Sequence, residues 1–265
     1  MNPKIVFITG TDTGVGKTLL TALLLCHLRA HGSCALALKP FCSGSRADAQ
    51  LLYDLQDREL TLDEINPFYF PEPVAPLVSA RKHKRSVPLD QVVRHIHSIT
   101  SRIAQAPHPS ASKAKTRNLK LATQNYLLIE GSGGLLVPLG EGYTVRDVIL
   151  RLDCEVIVVS RNQLGTINHT LLTTQALRNP ISRSTFRTAR SQHSVSRTPH
   201  SALKVVLMDV ASPDSSSASN AAILSELLAP TSLVLIPFVG AKARTVSGVR
   251  KTTALVKPAL ARVLA

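Results

Sequence analysis

The chain has 265 residues, which suits one large α/β domain, and its 44% hydrophobic content is enough for a sizeable core. Residues Met1–Gly10 lack the pattern of a signal peptide and no apolar run approaches the roughly 20 residues that span a bilayer, so the composition excludes a membrane role and a cytoplasmic location is expected. The net charge of +14 is local, because segments 101–124, 178–204 and 242–262 carry five, six and six Lys or Arg and no acid, and with 4% aromatic residues and no stacking motif it argues against a nucleic-acid partner.

The first expected strand, Lys4–Thr9, runs into Gly10-Thr11-Asp12-Thr13-Gly14-Val15-Gly16-Lys17-Thr18, and an apolar helix follows over Lys17–Ala30. Glycines let consecutive backbone N–H groups face phosphate oxygens, and a helix start adds partial positive charge. A lysine there reaches the outer phosphates and the next hydroxyl ligates magnesium. Five residues separate Gly10 from Gly16, one more than in the common phosphate-loop pattern, yet Gly-Lys-Thr still falls at a strand-to-helix junction. Gly14, Val15, Gly16, Lys17, Thr18 and Leu19 are therefore expected to contact a nucleoside triphosphate. His27 and His31 lie one turn apart in this helix and read as surface residues, since no third ligand is in view. Cys26, Cys34, Cys42 and Cys154 show no paired spacing and read as reduced thiols.

A second strand, Ala35–Lys39, ends on a lysine before Pro40, and Ser43-Gly44-Ser45-Arg46-Ala47-Asp48 leads into a helix over Ala47–Gln56. Asp48 fits either an ordinary acid at a helix N-terminus or a metal ligand. After a helix at Leu89–Ala104 comes the strand Tyr126–Glu130, whose terminal acid is followed by Gly131-Ser132-Gly133-Gly134. The spacing then predicts a helix at Thr144–Arg151, a strand at Glu155–Ser160 and a helix at Ile167–Leu177. A strand at Lys204–Val210, a helix at Asn220–Leu228 and a strand at Leu233–Pro237 complete the series. Most of these strands are continuous apolar runs, as in a parallel sheet buried on both faces. The alternation predicts a doubly wound, mostly parallel α/β sheet, a phosphate-loop three-layer sandwich in a single domain over residues 1–265. Ligands of such sheets bind beyond the carboxyl ends of the strands. The stretches near 106–120 and 180–202, rich in Ser, Pro, Thr and Arg, read as flexible basic surface insertions.

Five motifs in order together resemble the dethiobiotin synthetase family. They are the phosphate loop, Lys39-Pro40 with Ser43-Gly44-Ser45, Asn66-Pro67-Phe68 through Glu72-Pro73-Val74-Ala75-Pro76, Glu130-Gly131-Ser132-Gly133-Gly134, and Leu164-Gly165-Thr166-Ile167-Asn168-His169. The resemblance covers residues 4 to about 177 and returns at 204–239. It implies a homodimeric, magnesium-dependent ligase that joins CO2 to 7,8-diaminononanoate (7,8-diaminopelargonate) and closes a ureido ring at the expense of ATP. It further implies that Lys17, Lys39, Thr13 and Ser43 serve catalysis and that Thr18, Asp48 and Glu130 hold magnesium. Asp48, Glu130, Gly131, Ser132, Gly133, Asp209, Pro237, Phe238 and Val239 would contact the nucleotide. Ser43, Gly165, Thr166, Ile167 and Asn168 would bind the diamino acid, the last four from the partner subunit. His169 reads as structural.

The second half departs from the family. Met208-Asp209 stands where the family usually has an Asn-Asp pair, and a thioether cannot make the paired amide hydrogen bonds that reject a wrong base. An acid that often follows Pro237-Phe238-Val239 is replaced in the basic tail around Arg244. Two alternatives stand beside the ligase. One is another phosphate-loop amidoligase or ATPase; the other is a nucleotide-gated binding protein that uses its basic loops.

Overall fold

The computed structural model describes residues 2–105, 124–178, 203–240, 243 and 245–265; the expected insertions near 106–120 and 180–202, and Arg244, lie outside the described residues. In chain order the elements are β1 (Lys4–Gly10), α1 (Lys17–Ala30), β2 (Ala35–Leu38), β3 (Phe41–Ser43), α2 (Ala47–Leu55), α3 (Leu62–Ile65), β4 (Phe68–Phe70), α4 (Pro76–Lys82) and α5 (Leu89–Gln105). There follow β5 (Tyr126–Glu130), β6 (Pro138–Gly140), β7 (Tyr143–Thr144), α6 (Val145–Arg151), β8 (Glu155–Arg161), α7 (Thr166–Arg178), β9 (Leu203–Met208), α8 (Ser217–Leu228), β10 (Ser232–Ile236), α9 (Val246–Leu255) and α10 (Lys257–Leu264).

Six strands form one sheet in the order β10-β9-β8-β1-β5-β2, and every neighbouring pair is parallel. All six are strands the sequence predicts, within a residue or two at their ends. The chain leaves β1 toward one edge for β2 and β5, then crosses to the other edge for β8, β9 and β10. The reversal of strand order therefore brackets β1, and the turn after β1 lies in the crevice where doubly wound sheets hold ligands. Register aligns the strand ends there. Leu38 pairs with Ile129 and Gly10 with Val159, so Lys39, Glu130 and Ser160 emerge on the same side of the sheet.

The core explains why the strands read as unbroken apolar runs. All five residues of β5 are buried, as are six of seven in β1. Helix α1 buries Leu20, Leu23, Leu24, Leu25 and Leu28 completely. Each fully buried leucine of this kind contributes about 1.5–3 kcal/mol relative to exposure. The two short C-terminal helices α9 and α10 also pack on α1, and Thr245 caps the first of them by accepting a hydrogen bond from the Gly248 N–H. Among the described residues no helix is long and apolar enough to cross a membrane.

The C-terminal helices overturn one expectation. His27 and His31 are buried rather than on the helix surface, at 1% and 7% exposure, because α9 and α10 roof the face of α1 that would otherwise meet water. Their rings lie 4.3 Å apart, and His31 Nδ1 donates to the His27 carbonyl at 2.6 Å. Among the described residues, neither nitrogen of His27, both buried, has a hydrogen-bond partner. Burial first, then His31 and Lys257, lowers the His27 pKa from the ordinary histidine value to about 4.

The folded state thus binds the His27 proton less readily than the unfolded chain. The associated stability is present above the unfolded value and drains away as pH falls from about 6.5 toward 4. The midpoint of thermal unfolding is expected to drop between about pH 7 and pH 5, and His27→Leu should flatten that drop. Superimposable pH profiles for the two proteins would show that this imidazole does not titrate on unfolding.

Candidate active site

The phosphate loop turns out of β1 on Thr11, whose N–H continues the ladder to the Val159 carbonyl at 3.0 Å. Gly16 closes the loop with φ +105°, and a Cβ built there would lie 3.2 Å from Met208 Cγ. The left-handed backbone therefore favours glycine at this position, and any larger residue would also have to push the Met208 side chain aside. Helix α1 starts immediately afterwards with no side chain capping its first turn. Its leading N–H groups are left to face an anion, the arrangement expected of a phosphate site. The second glycine run closes in from β5. A Cβ on Gly134 would stand 3.2 Å from the Thr11 carbonyl oxygen, so the two loops touch through backbone.

Four charged or hydroxyl side chains, Lys39, Glu130, Thr18 and Asp48, converge between these loops. Lys39 Nζ donates to Glu130 Oε1 at 2.5 Å and to the Gly131 carbonyl at 3.1 Å. Thr18 Oγ1 donates to the same Glu130 oxygen at 2.7 Å. Asp48 Oδ2 lies 3.8 Å from Lys39 Nζ. The side chains of Lys39 and Glu130 are 7% and 1% exposed, so a full ion pair sits out of water at the crevice floor. Burial opposes the Lys39 charge, but Glu130 and Asp48 outweigh it and hold the ammonium above the ordinary lysine range. Lys17 behaves oppositely. Its Nζ donates to the Asp12 carbonyl at 2.7 Å, and burial together with the neighbouring Lys39 ammonium lowers its pKa to about 8.

Among the described residues, Glu130 Oε2 and the Oγ of Ser43, at the end of β3, are buried with no hydrogen-bond partner. Unsatisfied buried acceptors are costly, and at a functional site they point to a missing ligand. Among the described residues no group of three or more His, Cys, Asp or Glu could hold a metal by itself. Glu130, Asp48 and Thr18 nevertheless offer an all-oxygen donor set beside the phosphate loop. Magnesium takes such sets, one or two carboxylates with phosphates completing the shell.

Other sequence-predicted residues sit at varied distances from this floor. Thr13 is exposed, on the loop facing Gly133. Thr166 is buried at the start of α7 and reaches the phosphate loop through hydroxyls, with Thr166 Oγ1 2.7 Å from Ser160 Oγ and Ser160 Oγ accepting from Thr11 at 3.3 Å. Gly165, Ile167 and Asn168 make no hydrogen bond to the lysine–glutamate cluster among the described residues. Asp209 accepts a hydrogen bond from the Asn162 amide at 2.7 Å, and Phe238 is 52% exposed beyond β10. Arg161, which sequence reasoning passed over, hydrogen-bonds the phosphate loop itself. Its position at the end of a sheet strand, like Lys39 and Glu130, was the available signal.

Residues 4–187 match the AAA domain family. The ATP-dependent dethiobiotin synthetase of Bacillus licheniformis is 38% identical over 174 residues, which are 64% of this chain and 65% of that protein. Its counterpart in Anaeromyxobacter sp. (strain Fw109-5) is 38% identical over 65% of this chain and 70% of its own length. That of Methanocaldococcus jannaschii is 33% identical over 66% and 73%. The chain belongs to the dethiobiotin synthetase family. The match thus spans about two thirds of each relative. Among solved structures, pNOB8 ParA covers 99% of both chains with a TM-score of 0.54 at 14% identity, a likeness of fold alone.

Two outcomes are expected for this family member. Lys39→Ala should cost about 3–5 kcal/mol of stability in urea unfolding, because Glu130 is left buried without a counter-charge, and should abolish turnover. Adding Glu130→Gln should restore much of the stability and none of the activity. Separately, ATP affinity measured by calorimetry should weaken above about pH 8, where free Lys17 loses its proton, and binding there should take up a proton from buffer. Affinity that is flat across this range would remove Lys17 from the phosphate contacts.

Proposed function

We propose that this chain carries out ATP-dependent carboxylation and ring closure of 7,8-diaminononanoate with CO2, giving dethiobiotin, ADP and phosphate. The observation that carries the reading is the buried Lys39–Glu130 pair at the lip of the phosphate loop, joined by Thr18 and flanked by Lys17. Membership of the dethiobiotin synthetase family supports the same reading.

One amine of the substrate captures CO2 as a carbamate. Lys39, held positive, and Lys17 neutralise that anion and the incoming γ-phosphoryl group. Two ammonium groups close together repel each other, which is part of why the Lys17 pKa is low, and anionic ligands relieve that repulsion. Phosphoryl transfer to the carbamate oxygen gives a carbamic–phosphoric anhydride, the second amine attacks its carbonyl carbon, and phosphate leaves. Chemistry of this kind depends on positioning and charge stabilisation. Ser43 Oγ, buried and without a partner, is available to the carbamate, and Thr13 Oγ1 to the transferred phosphoryl group. Thr18, Asp48 and Glu130 would hold magnesium, which when bound supplies positive charge to the phosphate oxygens.

The nucleotide's phosphates would lie along Gly14–Leu19 and Gly131–Gly133, with the base toward Asp209 and Pro237–Val239. Met208 packs on Gly16 and offers no amide to a base, which supports looser base selection. The carboxylate of the diamino acid would meet N–H groups at the start of α7, within Gly165–Asn168, of a second copy of the chain, so the working unit is a homodimer.

Phosphate release should require 7,8-diaminononanoate, bicarbonate and Mg-ATP together. Release that ignores the diamine would sink the ligase reading. With CTP and GTP in place of ATP, turnover should persist within about tenfold, since no paired amide contacts discriminate at Met208; strict ATP dependence would place base reading elsewhere in the site.

A further inference from the structure

The end of β8 grips the phosphate loop at three successive residues. The Val159 carbonyl accepts from the Thr11 N–H at 3.0 Å, and Ser160 Oγ accepts from Thr11 Oγ1 at 3.3 Å. Arg161 then reaches across to the far side of the loop. Its Nε and Nη2 both donate to the Gly14 carbonyl, at 3.0 and 2.7 Å. The arginine is exposed, and among the described residues no carboxylate pairs with it. Its fork is spent on one backbone oxygen, an unusual use for a side chain whose geometry suits carboxylates and phosphates.

The Gly14 peptide is the point in the loop that most needs holding. Gly14 has φ +73°, a conformation in which a glycine backbone is easily turned, and a Cβ there would lie 3.1 Å from Arg161 Nη2. A trans peptide is planar, with its C=O and N–H pointing in opposite directions. A carbonyl of Gly14 fixed on Arg161 therefore fixes the N–H of Val15 pointing away from it. We propose that Arg161 is a positioning residue for nucleotide binding: by chelating the Gly14 carbonyl it keeps the Val15 N–H turned toward the triphosphate. This inference rests on the reading that the loop binds a nucleoside triphosphate. It assigns to a residue of β8, outside the loop, the task of setting the loop's shape before the ligand arrives. The same strand end joins Thr166 at the head of α7 through Ser160, so the loop and that helix start share one anchor.

The test uses the full chain and nucleotide alone, so that it does not depend on ligase turnover. Calorimetry with ADP and with Mg-ATP should show Arg161→Gln binding each about tenfold more weakly than the unaltered protein, the effect expected for losing a charge-assisted grip. Hydrogen exchange at residues 11–18 should rise in that variant, while the melting temperature without nucleotide stays the same. In turnover assays KM for ATP should rise by more than kcat falls, and KM for the diamino acid should hold. Arg161→Lys keeps the charge but not the two-donor grip, and should remain at least about threefold weaker than the unaltered protein. Full recovery in Arg161→Lys, unchanged nucleotide affinity in Arg161→Gln, or equal losses in both substrates with a lowered melting temperature would each overturn the proposal. If the unaltered protein itself bound neither nucleotide, the function reading would fail, and this inference with it.

Discussion

Lys39 and Glu130 carry opposite full charges in a place where water barely reaches them, with Nζ and Oε1 2.5 Å apart. Burying either alone would cost several kcal/mol, and even the pair recovers that cost only with good geometry. The sheet supplies the geometry. β2 and β5 are parallel neighbours with Leu38 opposite Ile129, so the next residue of each strand emerges beside the other at the carboxyl edge. Thr18 shares the same glutamate oxygen, which ties the start of α1 to the pair. The floor of the crevice is thus one electrostatic unit drawn from three segments far apart in sequence.

That unit is incomplete in charge and in hydrogen bonds. Burial and the nearby Lys39 ammonium lower the pKa of a second ammonium, Lys17, and among the described residues Glu130 Oε2 has no hydrogen-bond partner, nor has the buried Ser43 Oγ. A protein that only needed stability would gain by replacing these groups with apolar ones. Local conflict of this kind concentrates at functional sites, where ligand groups relieve it. An anionic nucleotide with its cation would neutralise the lysines and satisfy the free oxygens together. The site's instability and its proposed use have the same physical origin.

The far side of the crevice is organised by backbone rather than by charge. The end of β8 holds the phosphate loop through Val159, Ser160 and Arg161, and Asn162 continues inward to Asp209 and to Asn220. Met208 packs beneath Gly16 at the level of Arg161. These contacts hold the loop from the β8 side. They also place the Met208 thioether directly against the loop backbone at Gly16.

Much of this architecture was legible in the residue order. Continuous apolar runs located the six strands of the main sheet, because a strand buried on both faces has no polar alternation to confuse it. The phosphate loop, Lys39 and Glu130 stood out because chemistry-bearing residues at strand ends in an α/β alternation face a common crevice. Short elements escaped: β3 and β4 have three residues each, too few for any period to register, and α9 and α10 were masked by a segment marked mainly for its basic charge. Burial of His27 and His31 was misread because a helix pattern cannot reveal that a distant C-terminal segment returns to cover it. The chemical inventory was thus written in local sequence. The pairing of Lys39 with Glu130, 91 residues apart, and the grip of Arg161 on Gly14, 147 residues apart, exist only once parallel strands are brought into register.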